Sequence, residues 1–102
     1  MAKEKKLQTT ILNFLRGLGK ECKCFKIMKC SDVGIPDIFF TTKETGGVLV
    51  EVKAPGETPE PHQEDVHHSL RIAGTRVLVV DSWGQFISEF NLLRSMLSNR
   101  PS

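Results

Sequence analysis

The sequence lacks the features that mark a membrane or secreted protein. No apolar run in the 102 residues approaches the roughly 20 residues that a membrane span needs. The basic N-terminus, MAKEKKLQTT, leads into an amphipathic pattern. It does not lead into the continuous apolar stretch and small-residue cleavage site of a secretory signal. We therefore expect a soluble, cytoplasmic protein with no membrane partner.

Cysteine is scarce, and its number is odd. Cys22, Cys24 and Cys30 lie close together in the first third of the chain. Without a secretory signal, this pattern indicates free thiols in a reducing compartment. The sequence CKC has neither the spacing nor the fourth ligand of a structural zinc site, so no zinc is expected.

Length and charge exclude fewer classes of protein than the missing membrane and secretion signals do. A chain of 102 residues is expected to form one domain over 1–102, without room for a second core. Its 39% apolar and 25% charged residues are those of a globular protein. The net charge of +2 neither requires nor excludes a polyanionic partner. Lysines concentrate in the first third, which is compatible with a phosphate-binding face or with an ordinary solvated surface.

Hydrophobic periodicity predicts the order α-β-β-β-α-β-α. Helices are expected at 5–18, from about 60 to 74 and after Ser82; strands are expected at 21–30, 36–42, 47–54 and 75–82. The segment KETGG at 43–47 predicts a hairpin turn, so the second and third strands should pair antiparallel. Ser82 with Gln85 resembles a capping box, and an apolar stripe follows over 83–97.

Three charged residues interrupt the two apolar strands of this hairpin. Asp37 opens IPDIFF, while Glu51 and Lys53 lie inside GGVLVEVKA. Charged side chains are rarely buried unless they are paired or bind a metal. Residues two apart in a strand face the same side, so Glu51 and Lys53 should project together. A hairpin centred near residue 45 sets 37–40 opposite 50–53 and brings Asp37 within reach of Glu51.

Such a cluster suits phosphodiester hydrolysis. Two neighbouring carboxylates repel each other, and a hard divalent cation such as Mg²⁺ or Mn²⁺ relieves the repulsion. An adjacent lysine can hold an attacking water or stabilise charge that develops on the phosphate. The alternative is a structural salt bridge between Lys53 and Asp37.

The histidines are weaker candidates. His67 and His68 are neighbours in the predicted second helix, so they point in different directions and cannot chelate one ion as an i, i+4 pair would. His62 lies beside Gln63 and could contact a phosphate, but a surface position suits it better.

The charged motifs resemble those of a known family. Residues 36–37 (PD) and 51–53 (EVK) resemble the signature of PD-(D/E)XK nucleases. The longer pattern GIPDIFF … VEVKAPGETPEPHQ resembles the VRR-NUC (virus-type replication-repair nuclease) branch, of the stand-alone phage or bacterial type. The resemblance covers roughly residues 4–82. It implies an α/β, restriction-endonuclease-like αβββαβ core with a mixed four-stranded sheet flanked by helices, followed by a C-terminal helix.

The resemblance also implies roles for individual residues. Asp37 and Glu51 would bind the metal, and the backbone carbonyl of Val52 would complete the protein ligands. Lys53 would be the catalytic lysine.

Two further residues join the site by resemblance. Gln63 matches the family's trailing glutamine and would orient the phosphate or a metal-bound water; the alternative is a polar residue on the helix surface. Glu4 matches an acid early in the first helix, and its spacing from Leu7 and Ile11 places it toward the sheet. A solvated position within AKEKK is the alternative for Glu4.

The expected function is that of a DNA endonuclease dependent on Mg²⁺ or Mn²⁺, and the resemblance implies that its products have 5′-phosphate and 3′-hydroxyl ends. So short a chain should recognise DNA shape instead of base sequence, which favours branched DNA such as a four-way (Holliday) junction. Two symmetric cuts favour a homodimer, with the stripe over 83–97 as candidate interface or core. The alternatives are a flap, duplex or restriction-like nuclease, and a module that binds branched DNA without cleaving it.

Overall fold

A computed structural model describes residues 2–28 and 32–98. Its elements are α1 (Ala2–Gly17), β1 (Cys22–Lys26), β2 (Ile38–Thr42), β3 (Gly46–Val52), α2 (Pro61–Ile72), β4 (Arg76–Val80) and α3 (Trp83–Ser98). A short 3-10 turn, Gly19–Glu21, joins α1 to β1. The predicted order of elements is confirmed. The first strand is shorter than its predicted span of 21–30, because its partner β2 begins at Ile38, opposite Lys26. The predicted position of Cys30 in that strand lies outside the described residues.

The four strands form one mixed sheet in the order β1-β2-β3-β4. The pairs β1–β2 and β2–β3 are antiparallel, whereas β3 and β4 are parallel. Parallel neighbours require a long crossover, which α2 supplies here. The α/β architecture expected from the sequence is therefore confirmed. No helix in the described part of the chain is long and apolar enough to span a bilayer.

Alternation along the central strands separates the two faces of the sheet. Ile38 and Phe40 of β2, and Val48, Val50 and Val52 of β3, are fully buried on one face. They form one hydrophobic core with apolar residues of α1 and α3 (Ile11, Leu12, Leu15, Phe86 and Phe90). The second helix, α2, lies on the opposite face. Side chains of α2 consequently approach the odd-numbered residues of β3.

The apolar stripe of α3 belongs to this core. Phe86 is 0% exposed and Phe90 is 1% exposed. These two side chains therefore cannot take part in the dimer interface for which the stripe over 83–97 was a candidate. The helix begins with a variant of the predicted capping box. The Gln85 N–H donates to Ser82 Oγ at 3.1 Å, and Gln85 Oε1 accepts from the Asp81 N–H at 2.8 Å.

The β2–β3 hairpin has a different register from the one predicted. Ile38 pairs with Val50 and Phe40 pairs with Val48, a displacement of two residues from a hairpin centred at 45. The turn is tighter because the Thr45 N–H and hydroxyl both contact the Thr42 hydroxyl, at 3.0 and 2.8 Å. A displacement by an even number leaves every side chain on its predicted face.

Candidate active site

Glu51 lies near the end of β3 and is 2% exposed. Its Oε2 lies 3.6 Å from Lys53 Nζ, and its buried Oε1 has no hydrogen-bond partner. The strand alternation explains why this carboxylate and the lysine project together under α2. A buried acceptor without a partner is unusual in proteins and calls for a ligand.

Asp37 lies immediately before β2, across from the end of β3. Its N–H donates to the Val50 carbonyl at 3.0 Å, and its Oδ2 accepts from the Val52 N–H at 2.8 Å. The N–H and C=O of a strand residue point to the same neighbour, so the Val52 carbonyl is also directed toward β2.

The electrostatics confirm that the two carboxylates interact. Burial, together with the negative charges of Asp37 and Glu4, raises the pKa of Glu51 to about 7 against the opposing effect of Lys53. Burial also raises the pKa of Asp37, although the Val52 N–H and Lys53 oppose this shift. The carboxylates are therefore held in a setting that disfavours their full ionisation without a cation.

Lys53 and Gln63 are in direct contact. Lys53 Nζ donates to Gln63 Oε1 at 2.7 Å, and Gln63 Nε2 lies 3.4 Å from Glu51 Oε2. Gln63 sits in the first turn of α2, where its Oε1 also accepts from the Glu60 N–H at 2.9 Å. The glutamine thus faces the site instead of lying free on the helix surface. The ion pair of Lys53 is with Glu51. The alternative interpretation of the sequence was a structural salt bridge between Lys53 and Asp37.

The first helix approaches the same end of the sheet. Glu4 and Gln8 line a groove of about 370 Å³ together with Lys26 and Asp37. Gln8 is 7% exposed, and its Oε1 has no hydrogen-bond partner. Glu4 is therefore near the carboxylates, as the resemblance implied, whereas Gln8 was not singled out from the sequence. Its position one helical turn after Glu4 is the signal that could have identified it.

His67 is a second residue that sequence reasoning missed. It is 1% exposed, and its Nε2 lies 3.6 Å from Glu51 Oε1. Burial lowers the pKa of His67, and the positive charges of Arg71 and Lys53 lower it further against the opposing charges of Glu64 and Asp37, which favours the neutral ring. His68 and His62 are exposed. The signal for His67 was its i, i+4 spacing from Gln63, which puts both on one face of α2.

Unpartnered polar atoms concentrate in this region. Among the residues that the structure describes, the buried side-chain atoms without a hydrogen-bond partner are Gln8 Oε1, Glu51 Oε1 and His67 Nε2. Glu51 and His67 adjoin each other, and Gln8 lines the groove that reaches Asp37. Unsatisfied groups elsewhere in a fold would only reduce its stability, so their clustering indicates a binding site.

The donor set fits a divalent cation that keeps most of its water. Over 2–28 and 32–98 no group of three or more His, Cys, Asp or Glu side chains could hold a metal. The carboxylates of Asp37 and Glu51 and the carbonyl of Val52 are instead hard oxygen ligands of the kind that suits Mg²⁺, which binds through one or two carboxylates plus water and phosphate oxygens. Cys22 and Cys24 of β1 are free thiols.

Comparisons with known proteins point to one family. The sequence profile of the VRR-NUC domain matches residues 2–83. "Putative nuclease p44" of Acyrthosiphon pisum secondary endosymbiont phage 1 is 36% identical over 58 residues, which are 57% of this chain. The match spans 62% of that phage protein, less than two thirds of its length.

Two solved structures have the same fold. One, described as a VRR_NUC domain, superposes with a TM-score of 0.76 and 28% identity over 87% of this chain and 95% of its own. A second, described as a VRR_NUC domain protein, gives a TM-score of 0.71 over 89% of this chain and 87% of its own. At 17% identity, this second likeness speaks for the fold alone.

Proposed function

Because this chain belongs to the VRR-NUC domain family of nucleases, we propose that it is a divalent-cation-dependent endonuclease that hydrolyses DNA. The observation that carries the proposal is the convergence of Asp37 and Glu51 beside Lys53. The 3.6 Å contact between Lys53 Nζ and Glu51 Oε2 and the raised pKa of Glu51 describe a cluster built to accept positive charge.

Each residue of the site has a proposed role in the hydrolysis. Asp37, Glu51 and the Val52 carbonyl would hold Mg²⁺ or Mn²⁺. When bound, such an ion polarises a phosphate oxygen and lowers the pKa of water. Lys53 stabilises negative charge as water attacks in line, leaving 5′-phosphate and 3′-hydroxyl ends. Gln63 holds the lysine amine in place through its 2.7 Å contact.

Glu4 would complete the acidic side of the site. Its negative charge already acts on Glu51, and it lines the groove that leads from α1 to Asp37. From this position it can hold water in the hydration shell of the cation, because Mg²⁺ keeps several waters in protein sites.

The substrate we propose is branched DNA, with a four-way junction as the best candidate. The described chain is one three-layer unit without a separate element for reading bases, which favours recognition of DNA shape. Resolving a junction takes two symmetric cuts, so we propose a homodimer. Leu92 and Met96, 54% and 57% exposed on α3, offer an apolar surface for it outside the core. The place of action would be the cytoplasm of a bacterial cell or phage-infected host.

A cleavage assay tests this function. Labelled four-way junction, flap and linear duplex are incubated with Mg²⁺, with Mn²⁺ and with chelator. The wild type should cut the junction only with a divalent cation. Lys53→Ala should lower the rate by about 100-fold or more, the effect of removing one stabilising donor, while DNA binding persists. Lys6→Ala, at an exposed position of α1, is the matched control and should cut normally.

Other outcomes identify the alternatives. Equal cutting of junction, flap and duplex would mean a flap, duplex or restriction-like nuclease. Binding of junctions without cutting under any divalent cation would mean a non-cleaving DNA-binding module.

A further inference from the structure

On the sheet face that carries α2, no helix of the described residues covers β1 and β2. The second helix lies over β3 and β4, and Phe25 of β1 remains 49% exposed. Phe25 pairs directly with Phe39 of β2, so both side chains lie on the same face. Their rings are stacked, with centroids 5.2 Å apart and an interplanar angle of 27°. We call this pair the aromatic platform.

A glycine fixes the inner ring of the aromatic platform. A Cβ at Gly47 would lie 3.1 Å from Phe39 Cε1 and 3.3 Å from its Cζ. The missing side chain therefore allows the Phe39 ring to lie over β3. The aromatic platform is consequently supported from below by the sheet, and its outer ring faces solvent.

The aromatic platform adjoins the candidate active site. Phe39 pairs with Leu49, and Glu51 follows Leu49 by two residues on the same face. Two residues of a strand span about 7 Å. A nucleotide whose phosphate lies at Glu51 can therefore reach the rings with its own base or with the next one.

The opposite end of the platform is basic. Lys23 pairs with Thr41 on the same face and lines a groove of about 500 Å³ with Lys20 and Lys43. Two acids, Glu21 and Glu44, also line it. Glu44 is neutralised by Arg94, whose Nε lies 3.4 Å away. Positive charge therefore predominates where a DNA strand leaving the rings would pass.

We propose that Phe25 and Phe39 stack against a base that is unpaired at the branch point, next to the phosphate that is cut. The inference rests on the proposed function and adds a source of structure selectivity. Stacking on an aromatic ring tolerates any base because every base has a π face, whereas paired bases within a duplex are not available. A second copy of the chain is a poorer occupant, because a two-fold contact would bring the lysines of both copies together.

Fluorescence of 2-aminopurine tests the proposal without cleavage. The probe is placed unpaired at the branch of a flap or junction, and binding is measured in chelator, where no cutting occurs. Wild-type protein should quench the probe by stacking. Phe25→Leu, which keeps an apolar side chain, should abolish the quenching and weaken branched-DNA binding about tenfold. Binding of linear duplex should change less than about twofold.

Two variants serve as controls. Phe25→Trp restores an aromatic face and should restore the quenching. Ile72→Ala removes an equally apolar residue, 74% exposed at the end of α2, and should bind as the wild type does. Thermal unfolding of each variant verifies that it is folded.

Three results would overturn the inference. One is unchanged quenching in Phe25→Leu. Another is an equal loss of affinity for duplex and branched DNA. The third is a wild-type dimer that Phe25→Leu converts to a monomer in sedimentation, which would assign the surface to a second copy. Quenching by a protein that never cuts DNA would instead support stacking and contradict the proposed nuclease.

Discussion

At the scale of single residues, the buried position of Glu51 disfavours the negative charge of its carboxylate. Its pKa is raised to about 7, above the ordinary value of 4.5. Protonated Glu51 therefore favours the folded state, and this contribution is fully present below about pH 4.5 and lost as the pH rises through about 7. A divalent cation bound to the ionised carboxylate would offset the loss.

This shift predicts a specific pH dependence of stability. Between about pH 5 and about pH 8, in chelator, the free energy of unfolding of the wild type should fall by up to about 3 kcal/mol on account of Glu51. Glu51→Gln removes the ionisation, so this part of the fall should disappear. Urea unfolding at the two pH values measures the difference.

The control for this prediction is Glu57→Gln. Glu57 lies exposed in the loop before α2, so its substitution should leave the pH dependence as in the wild type. Parallel curves for Glu51→Gln and the wild type would show that the buried carboxylate is not the source.

Sequence reasoning reached some residues of the site and not others. Alternation along a strand suffices to pair Glu51 with Lys53, since both belong to one local pattern. The contact of His67 with Glu51 depends on how α2 packs across the sheet. The position of Gln8 depends in the same way on α1. Helical spacing places each residue on the same helix face as a predicted site residue, but no local pattern encodes the distances across the sheet.

At the scale of elements, the loop before β2 supports the start of α2. Gly34 has a φ of +84°, and a Cβ there would lie 2.9 Å from Val66 Cγ2 and 3.3 Å from the His62 carbonyl oxygen. The loop thus contacts the turn of the helix that presents Gln63 to Lys53. Helix position and site geometry are coupled through this contact.

Gly34→Ala should therefore damage both stability and activity. The left-handed φ costs about 1–2 kcal/mol for a residue with a Cβ, and the steric overlap with α2 adds about 1–3 kcal/mol. Because the overlap shifts the helix that carries Gln63, DNA cleavage should fall even under conditions where the variant is folded. Urea unfolding and the junction assay measure the two effects.

Gly74→Ala is the control that introduces backbone strain without a steric overlap. Gly74 has a φ of +100°, but a Cβ there would meet nothing within 4 Å. The free energy of unfolding of Gly74→Ala should fall only by the cost of the left-handed conformation, and DNA cleavage should be unchanged. If Gly34→Ala is no worse than Gly74→Ala in stability and cuts DNA equally well, the coupling between loop and helix is absent.

The helices and strands were predicted more accurately than the register between β2 and β3. The turn residues at 43–47 identified the hairpin, yet Gly46 and Gly47 belong to β3 and the register differs by two residues. Hydrophobic alternation selects the face of a strand but is blind to shifts by an even number. The contacts between Thr42 and Thr45 that tighten the turn decide the register.

At the scale of the whole molecule, the layers separate stability from chemistry. The core formed with α1 and α3 fills one face of the sheet, while Glu51, Lys53 and His67 meet on the face beneath α2. The order of elements follows from periodicity, whereas the mixed sheet flanked by helices was implied by the family resemblance. Assembly and substrate geometry are set by surfaces that periodicity does not describe.

The last prediction concerns assembly, because one chain offers one set of the proposed catalytic residues. Over the described residues, Asp37, Glu51 and Lys53 occur together once, so the proposed resolution of a four-way junction by two paired cuts would need two chains. Wild type mixed with excess Asp37→Asn should form heterodimers that nick one strand, and nicked junctions should accumulate at the expense of resolved products.

Electrophoresis under native and denaturing conditions distinguishes nicked from resolved junctions, and sedimentation in the absence of DNA gives the number of chains. Excess Lys6→Ala, which keeps Asp37, Glu51 and Lys53, is the control and should leave the ratio of products unchanged. Paired cuts that decrease only in proportion to dilution by Asp37→Asn, together with a monomer in sedimentation, would mean that single chains act independently.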